Sequence, residues 1–168
     1  MIETQDAPGE VTVRDDALQV VFHRHYARPI EKVWAAITTP ERLADWLADA
    51  EVELKPGGRI HFNWNNGAHT MEGRVLVCEA PTAFSYTWTI DGRESVVRFD
   101  LKPDSAGCWL TLTHSGLSPR GAPSGGVRSG WHAHLEGLGD AIDGKKTPWA
   151  IKTERQNAVS RLYPPLPA

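Results

Sequence analysis

Residues 130–142 read GWHAHLEGLGDAI, and helical geometry sorts them onto faces. At 100° per residue, Trp131, Leu135, Leu138 and Ile142 fall within an arc of about 60°. That stripe needs an apolar surface to press on. His134 lies at its edge, next to Ala141. His132 falls on the other side with Glu136 and Asp143, near Asp140, on a face expected to meet solvent. The two imidazoles diverge by about 160°, so they are predicted neither to share a metal nor to act on one atom.

The surface for the stripe is supplied by the segment that precedes it. EVELK (51–55), RIHFNW (59–64), MEGRVLVCE (71–79), AFSYTWTI (83–90), SVVRFDL (95–101) and CWLTLTHS (108–115) read as strands. They are punctuated by Pro56-Gly57-Gly58, Ala80-Pro81-Thr82 and Asp91-Gly92, which are turn signals. In LQVVFHRHY (18–26), Leu18, Val20, Phe22 and Tyr26 alternate with polar partners, which is strand periodicity. The count is about seven strands. Short turns between successive strands make an antiparallel meander, and helices gathered on one face of it give an α+β arrangement.

Alternation also assigns the inner face. Phe84, Tyr86, Trp88 and Ile90 are expected to point inward, with Ile60, Phe62 and Trp64, with Val97, Phe99 and Leu101, and with Leu110, Leu112 and His114. His114 is the polar member of this set. It is either a core histidine bonded to its neighbours or a polar anchor in an aromatic pocket.

Between the first strand and the meander, ARPIEKVWAAIT (27–38) switches to helical spacing, with Ile30, Val33, Trp34 and Ile37 in one stripe. A second short helix follows, with Thr39 as its cap, Pro40 at its start and Leu43, Trp46 and Leu47 buried. GLSPRGAPSGGVRSG (116–130) is rich in glycine and almost bare of apolar side chains. It is predicted to be a long flexible loop and a candidate lid. Residues 1–17 read as a flexible arm or an added edge strand, 18–144 as the domain, and 145–168 as an extension on the surface with a helix opened by Thr147-Pro148.

Composition narrows the function classes. A hydrophobic share of 40% with 23% charged residues is ordinary for a globular protein. A net charge of −3 argues against nucleic acid as a partner, since phosphates call for a surplus of clustered cations. No apolar run reaches the roughly 18 residues of a membrane span, and the N-terminus lacks a basic and apolar leader. A cytoplasmic location and no membrane partner are expected. Cys78 and Cys108 have no metal or redox spacing and are read as reduced thiols. The seven tryptophans favour a large core or a cavity with aromatic walls.

Chemical motifs are sparse. HExxH, GxSxG and GxGxxG are absent, so zincin, hydrolase and dinucleotide chemistry lack support. His23 and His25 share the outer face of the first strand as an exposed polar pair. Glu72 also falls outward, and Glu79 and Glu94 lie near strand ends. No cofactor, no metal site and no catalytic constellation are expected.

Five segments in order carry a family likeness: HRHYARPIEKVWAAITTPERLADWL, ELKPGGRIHFNW, MEGRVLVCEAPTAFSYTW, LTLTHSGL and GWHAHLEGLGDAI. The chain resembles the START-like, or SRPBCC (Bet v 1-like), superfamily. Within it the likeness is to the branch similar to the C-terminal domain of the activator of the heat-shock-90 ATPase. The resemblance implies a helix-grip fold, in which a curved antiparallel sheet wraps around a long C-terminal helix and leaves a cavity between them. Carried over, the ligand-binding wall comprises Phe62, Trp64, Tyr86, Trp88, Phe99, His114, Trp131 and His134, with the two short helices and Trp46 near the mouth.

The function this implies is binding of a small hydrophobic molecule, lipid-like or aromatic, with His114 or His134 orienting a polar group. Two alternatives stay open: a cyclase or hydratase using a cavity histidine, and an interaction module for a chaperone. Residues 1–17 are too short for the chaperone-contacting N-terminal domain that the activator carries. A homodimer is a further open alternative.

Overall fold

Strands with one apolar face assemble into one antiparallel sheet. The computed structural model describes residues 7–64, 67–90, 92–119 and 122–164, with backbone alone for Ile90 and residues 122–125. In chain order the described strands are β1 (Glu10–Arg14), β2 (Ala17–Tyr26), β3 (Asp49–Val52), β4 (Arg59–Trp64), β5 (His69–Glu79), β6 (Ala83–Ile90), β7 (Arg93–Asp104) and β8 (Gly107–Leu117). They lie side by side in the order β1-β2-β8-β7-β6-β5-β4-β3. Strands β3 to β8 form the meander, and β8 closes against β2.

The strand beyond the expected seven is β1, paired with β2 from Glu10↔Val21 to Arg14↔Ala17. Residues 10–14 of the N-terminal segment thus take the edge-strand alternative, while residues 1–6 lie outside the described residues. The register of β5 against β6 shifts between Val75 and Val77, a bulge of the kind that bends a sheet. The inward residues are as alternation placed them: Ile60, Phe62, Tyr86, Phe99, Leu112 and His114 are all buried. The side chain of Ile90 lies outside the described residues.

The connection from β2 to β3 carries α1 (Ile30–Thr38) and α2 (Pro40–Trp46). Pro40 stands at the first helical position, but Thr39 is not a side-chain cap. Its hydroxyl donates instead to the Ala35 carbonyl at 2.7 Å, finishing the helix before it rather than starting the one after. Trp46 is not at a cavity mouth. It is fully buried, its ring meets Phe99 edge-on, and its Nε1–H donates to the Ala36 carbonyl at 2.7 Å.

The largest departure from the sequence reading is α3, which runs Ala122–Ile142. The glycine-rich stretch from 122 to 130 is therefore helix rather than a flexible loop. Propensity disfavours glycine in a helix by about 1 kcal/mol per residue, but helices in proteins are held mainly by packing. Here Arg128 and Ser129 are buried, and Val127 packs on the core. Residues 120 and 121 lie outside the described residues.

The C-terminal extension forms α4 (Trp149–Val159) and a single 3-10 turn, Ser160–Leu162. It is a packed layer over α3: Thr147, Lys152 and Tyr163 are buried, which the expected surface placement did not foresee. Residues 165–168 lie outside the described residues. Among the described residues no helix is long and apolar enough to cross a membrane.

Candidate functional site

The open end of the sheet–helix interface is a cleft of about 550 Å³. β4 and β6 bring Trp64 and Trp88 to it, α3 brings Trp131 and His134, and α4 brings Trp149 and Gln156. Trp64 and Trp88 stand 5.4 Å apart between ring centroids, and Trp88 and Trp131 are also 5.4 Å apart. Indole faces and edges at this spacing give a wall with large apolar area and few polar atoms.

The eight residues expected to form the wall are brought together, in two layers. Trp64, Trp88, Trp131 and His134 line the cleft. Phe62, Tyr86, Phe99 and His114 stand behind them as core, with Phe62 5.7 Å from Trp88 and Phe99 6.1 Å from Trp131. The Tyr86 hydroxyl is buried in this second layer without a hydrogen-bond partner among the described residues.

His114 is locked in the second layer. Trp131 Nε1–H donates to its Nδ1 at 2.9 Å. That bond fixes the proton on Nε2, which donates to Ser95 Oγ at 2.8 Å. The Ser95 hydroxyl in turn donates a hydrogen bond to the Trp88 carbonyl at 2.6 Å. Both ring nitrogens are used and the side chain has no exposure. Burial pushes its pKa down from 6.5 to about 3, because a cation there would lose its hydration without a counter-charge. Ser95, which sequence reasoning missed, completes this relay.

His134 has the opposite arrangement. Its Nδ1–H donates to the Trp46 carbonyl at 3.0 Å, and a carbonyl can only accept. Nε2 is thereby left as the unprotonated acceptor of a residue that borders the cleft. Burial, and then the nearby Lys152 charge, lower its pKa to about 4, against a smaller opposing effect from the Trp46 carbonyl. The imidazole is neutral at pH 7. Gly137 permits the close approach that makes this bond, since a methyl group there would sit 3.2 Å from Thr147 Oγ1 and 3.4 Å from Trp46 Cβ.

His132 is not solvated, contrary to expectation. It is 2% exposed, bonded through Nδ1 to the Tyr163 hydroxyl at 2.8 Å, and edge-on to Phe22. Gly9 N–H donates to the same hydroxyl at 2.9 Å. The carboxylates beside His132 stay partly exposed, as the sequence predicts, and are ion-paired: Glu136 and Asp140 with Arg155 of α4, both at 3.3 Å, and Asp143 with Arg28 at 2.7 Å. Helical periodicity sorted the faces correctly but could not reveal a cover supplied by the tail.

On the outer face His23 is exposed and bonds Thr111, while His25 is half-buried and pairs with Asp104. Glu72 points outward and pairs with Arg59. Cys78 and Cys108 are free thiols. The lining residues that the sequence reading did not name are His69, Gly126, Val127, Gly130, Trp149 and Gln156. Only Trp149, just after the Thr147-Pro148 helix start, carried a usable signal.

Comparison with known proteins places this geometry in a family. Residues 27–143 match the family described as Activator of Hsp90 ATPase homolog 1-like protein. A crystal structure of MLL2253 from Mesorhizobium loti is 29% identical, covering 77% of this chain and 99% of that one, with a TM-score of 0.70. CalU16 from Micromonospora echinospora is 27% identical over 92% of this chain and 98% of its own, also at 0.70. DynU16, of the dynemicin biosynthetic locus, is 22% identical over 79% of this chain and 49% of its own, and at 0.70 it shares the fold. One curated protein, cytoplasmic dynein 2 heavy chain 1 of Chlamydomonas reinhardtii, is 30% identical over 104 residues; this chain spans 2% of its length.

Proposed function

The chain belongs to the Activator of Hsp90 ATPase homolog 1-like family, and from that premise we propose that it binds a small hydrophobic molecule, aromatic or lipid-like, between the sheet and α3. The observation that carries this reading is the pairing of four indoles with one oriented acceptor. Trp64, Trp88, Trp131 and Trp149 wall the cleft, and His134 borders it with Nε2 unprotonated. Burying apolar ligand surface contributes about 25 cal/mol per Å². A hydroxyl or N–H of the ligand donating to His134 Nε2 sets its orientation.

Catalysis by the pair His114 and His134 has less support, since His114 has both nitrogens engaged and stands behind the cleft that His134 and His69 border. The binding reading is tested by thermal shift and native mass spectrometry against a panel of aromatic and lipid-like compounds. The expected result is at least one compound bound one-to-one whose binding is lost in Trp149→Ala. A panel in which no compound binds, or in which every bound compound is indifferent to Trp149→Ala, overturns it.

A further inference from the structure

Beside the aromatic cleft lies a smaller recess that shares two of its walls, Trp64 and Trp149. Its remaining lining includes Asn63, Thr147, Lys146 and Lys152. Lys152 is only 8% exposed, an unusual place for an ammonium, and only the longer-range charges of Asp49 and Asp45 oppose its burial. Its Nζ reaches one acceptor, the Leu47 carbonyl at 3.4 Å, and no carboxylate pairs with it among the described residues. Asp49 borders the recess but is exposed and forms no ion pair with Lys152.

A lysine has three N–H donors, and one long bond to a carbonyl leaves most of that capacity unused. Two further polar atoms are in the same condition. Thr147 Oγ1 and Asn63 Oδ1 are buried without hydrogen-bond partners among the described residues. A hydroxyl can donate, and a carboxamide turned end for end presents its N–H₂. The recess therefore holds a buried cation and two uncommitted polar side chains at the end of an apolar cleft.

We propose that this recess is a carboxylate subsite, so that the ligand of the aromatic cleft is an apolar acid whose carboxylate docks on Lys152 and Thr147. This rests on the binding reading above and specifies the ligand class. Burial, then repulsion from Lys146, lower the Lys152 pKa to about 8 against the pull of Asp49 and Asp45. The side chain is thus still cationic at neutral pH, and a carboxylate offsets the burial that perturbs it.

The test is isothermal titration at pH 7 with naphthoic acid and its neutral isostere naphthamide, on the full chain and on Lys152→Gln and Lys152→Arg. A charge-assisted hydrogen bond predicts that the acid binds about tenfold or more tighter than the amide. Lys152→Gln abolishes that preference by weakening the acid more than the amide, and Lys152→Arg retains it. A parallel pair, dodecanoic acid and dodecanamide, separates aromatic from fatty acids; preference for the acid in either pair, lost in Lys152→Gln, supports the subsite. Equal affinity for acid and amide in both pairs overturns the subsite and leaves the cleft reading standing. If none of the four compounds binds while the broader panel yields a ligand, the subsite falls and the cleft reading stands.

Discussion

His114 and His134 pack edge-on to the same indole, with ring centroids 6.1 and 6.2 Å from Trp131, yet they do different work. His114 spends both nitrogens inside the protein, between Trp131 and Ser95. His134 spends one on the Trp46 carbonyl and keeps the other as a lone-pair acceptor at the cleft. Both pKa values are depressed by burial, so a perturbed pKa does not by itself tell a sealed histidine from one that borders the cleft. The bond inventory of the second nitrogen does.

Removing what the two histidines share has the largest expected effect. Trp131→Ala deletes a buried indole and orphans His114 Nδ1, which predicts a stability loss of about 3–5 kcal/mol by urea denaturation. The histidines themselves then separate. His114→Ala leaves the Trp131 N–H unpaired and opens a core cavity, for about 2–4 kcal/mol. His134→Ala removes one hydrogen bond beside an open cleft, for about 1 kcal/mol. Equal losses from the two substitutions would break the distinction.

Acid sharpens it. Between pH 6.5 and 3 the unfolded chain takes up a proton that folded His114 refuses, so stability falls as pH falls through that window. At about 1.4 kcal/mol per pH unit, His114 alone removes about 2 kcal/mol by pH 5. Denaturation midpoints at pH 7 and pH 5 check this, and His114→Gln is expected to flatten the slope. The smallest stability effect belongs to Trp149, which is 43% exposed. Trp149→Ala should stay within about 0.5 kcal/mol in denaturation while weakening ligand binding, so that stability and binding come apart in one variant.

How much of this was legible in the sequence follows from the range of the interactions. Alternation places Phe62, Trp64, Tyr86, Trp88, Phe99 and His114 on the inner face because strand geometry is local. The stripe of α3 is equally local, and Trp131 and Leu138 are buried as periodicity requires. The same reasoning fails wherever a distant segment supplies the cover. Periodicity puts His132 toward solvent because the partner that buries it, Tyr163, stands 31 residues away. Residues 122–130 read as a loop because glycine content speaks for propensity and is silent on packing. The division of the aromatic set into lining and backing layers was illegible too, since it depends on where α4 sets Trp149.

On the proposed binding reading, the cleft takes a ligand donor on His134 while His114 stays sealed. Nitrogen NMR of the two imidazoles during titration with the tightest compound of the binding panel reads both rings at once. The expected result is a shift of the unprotonated Nε2 resonance of His134, with both His114 nitrogens unmoved. Movement of the His114 nitrogens with His134 unchanged, or saturable binding that disturbs neither ring, would contradict it.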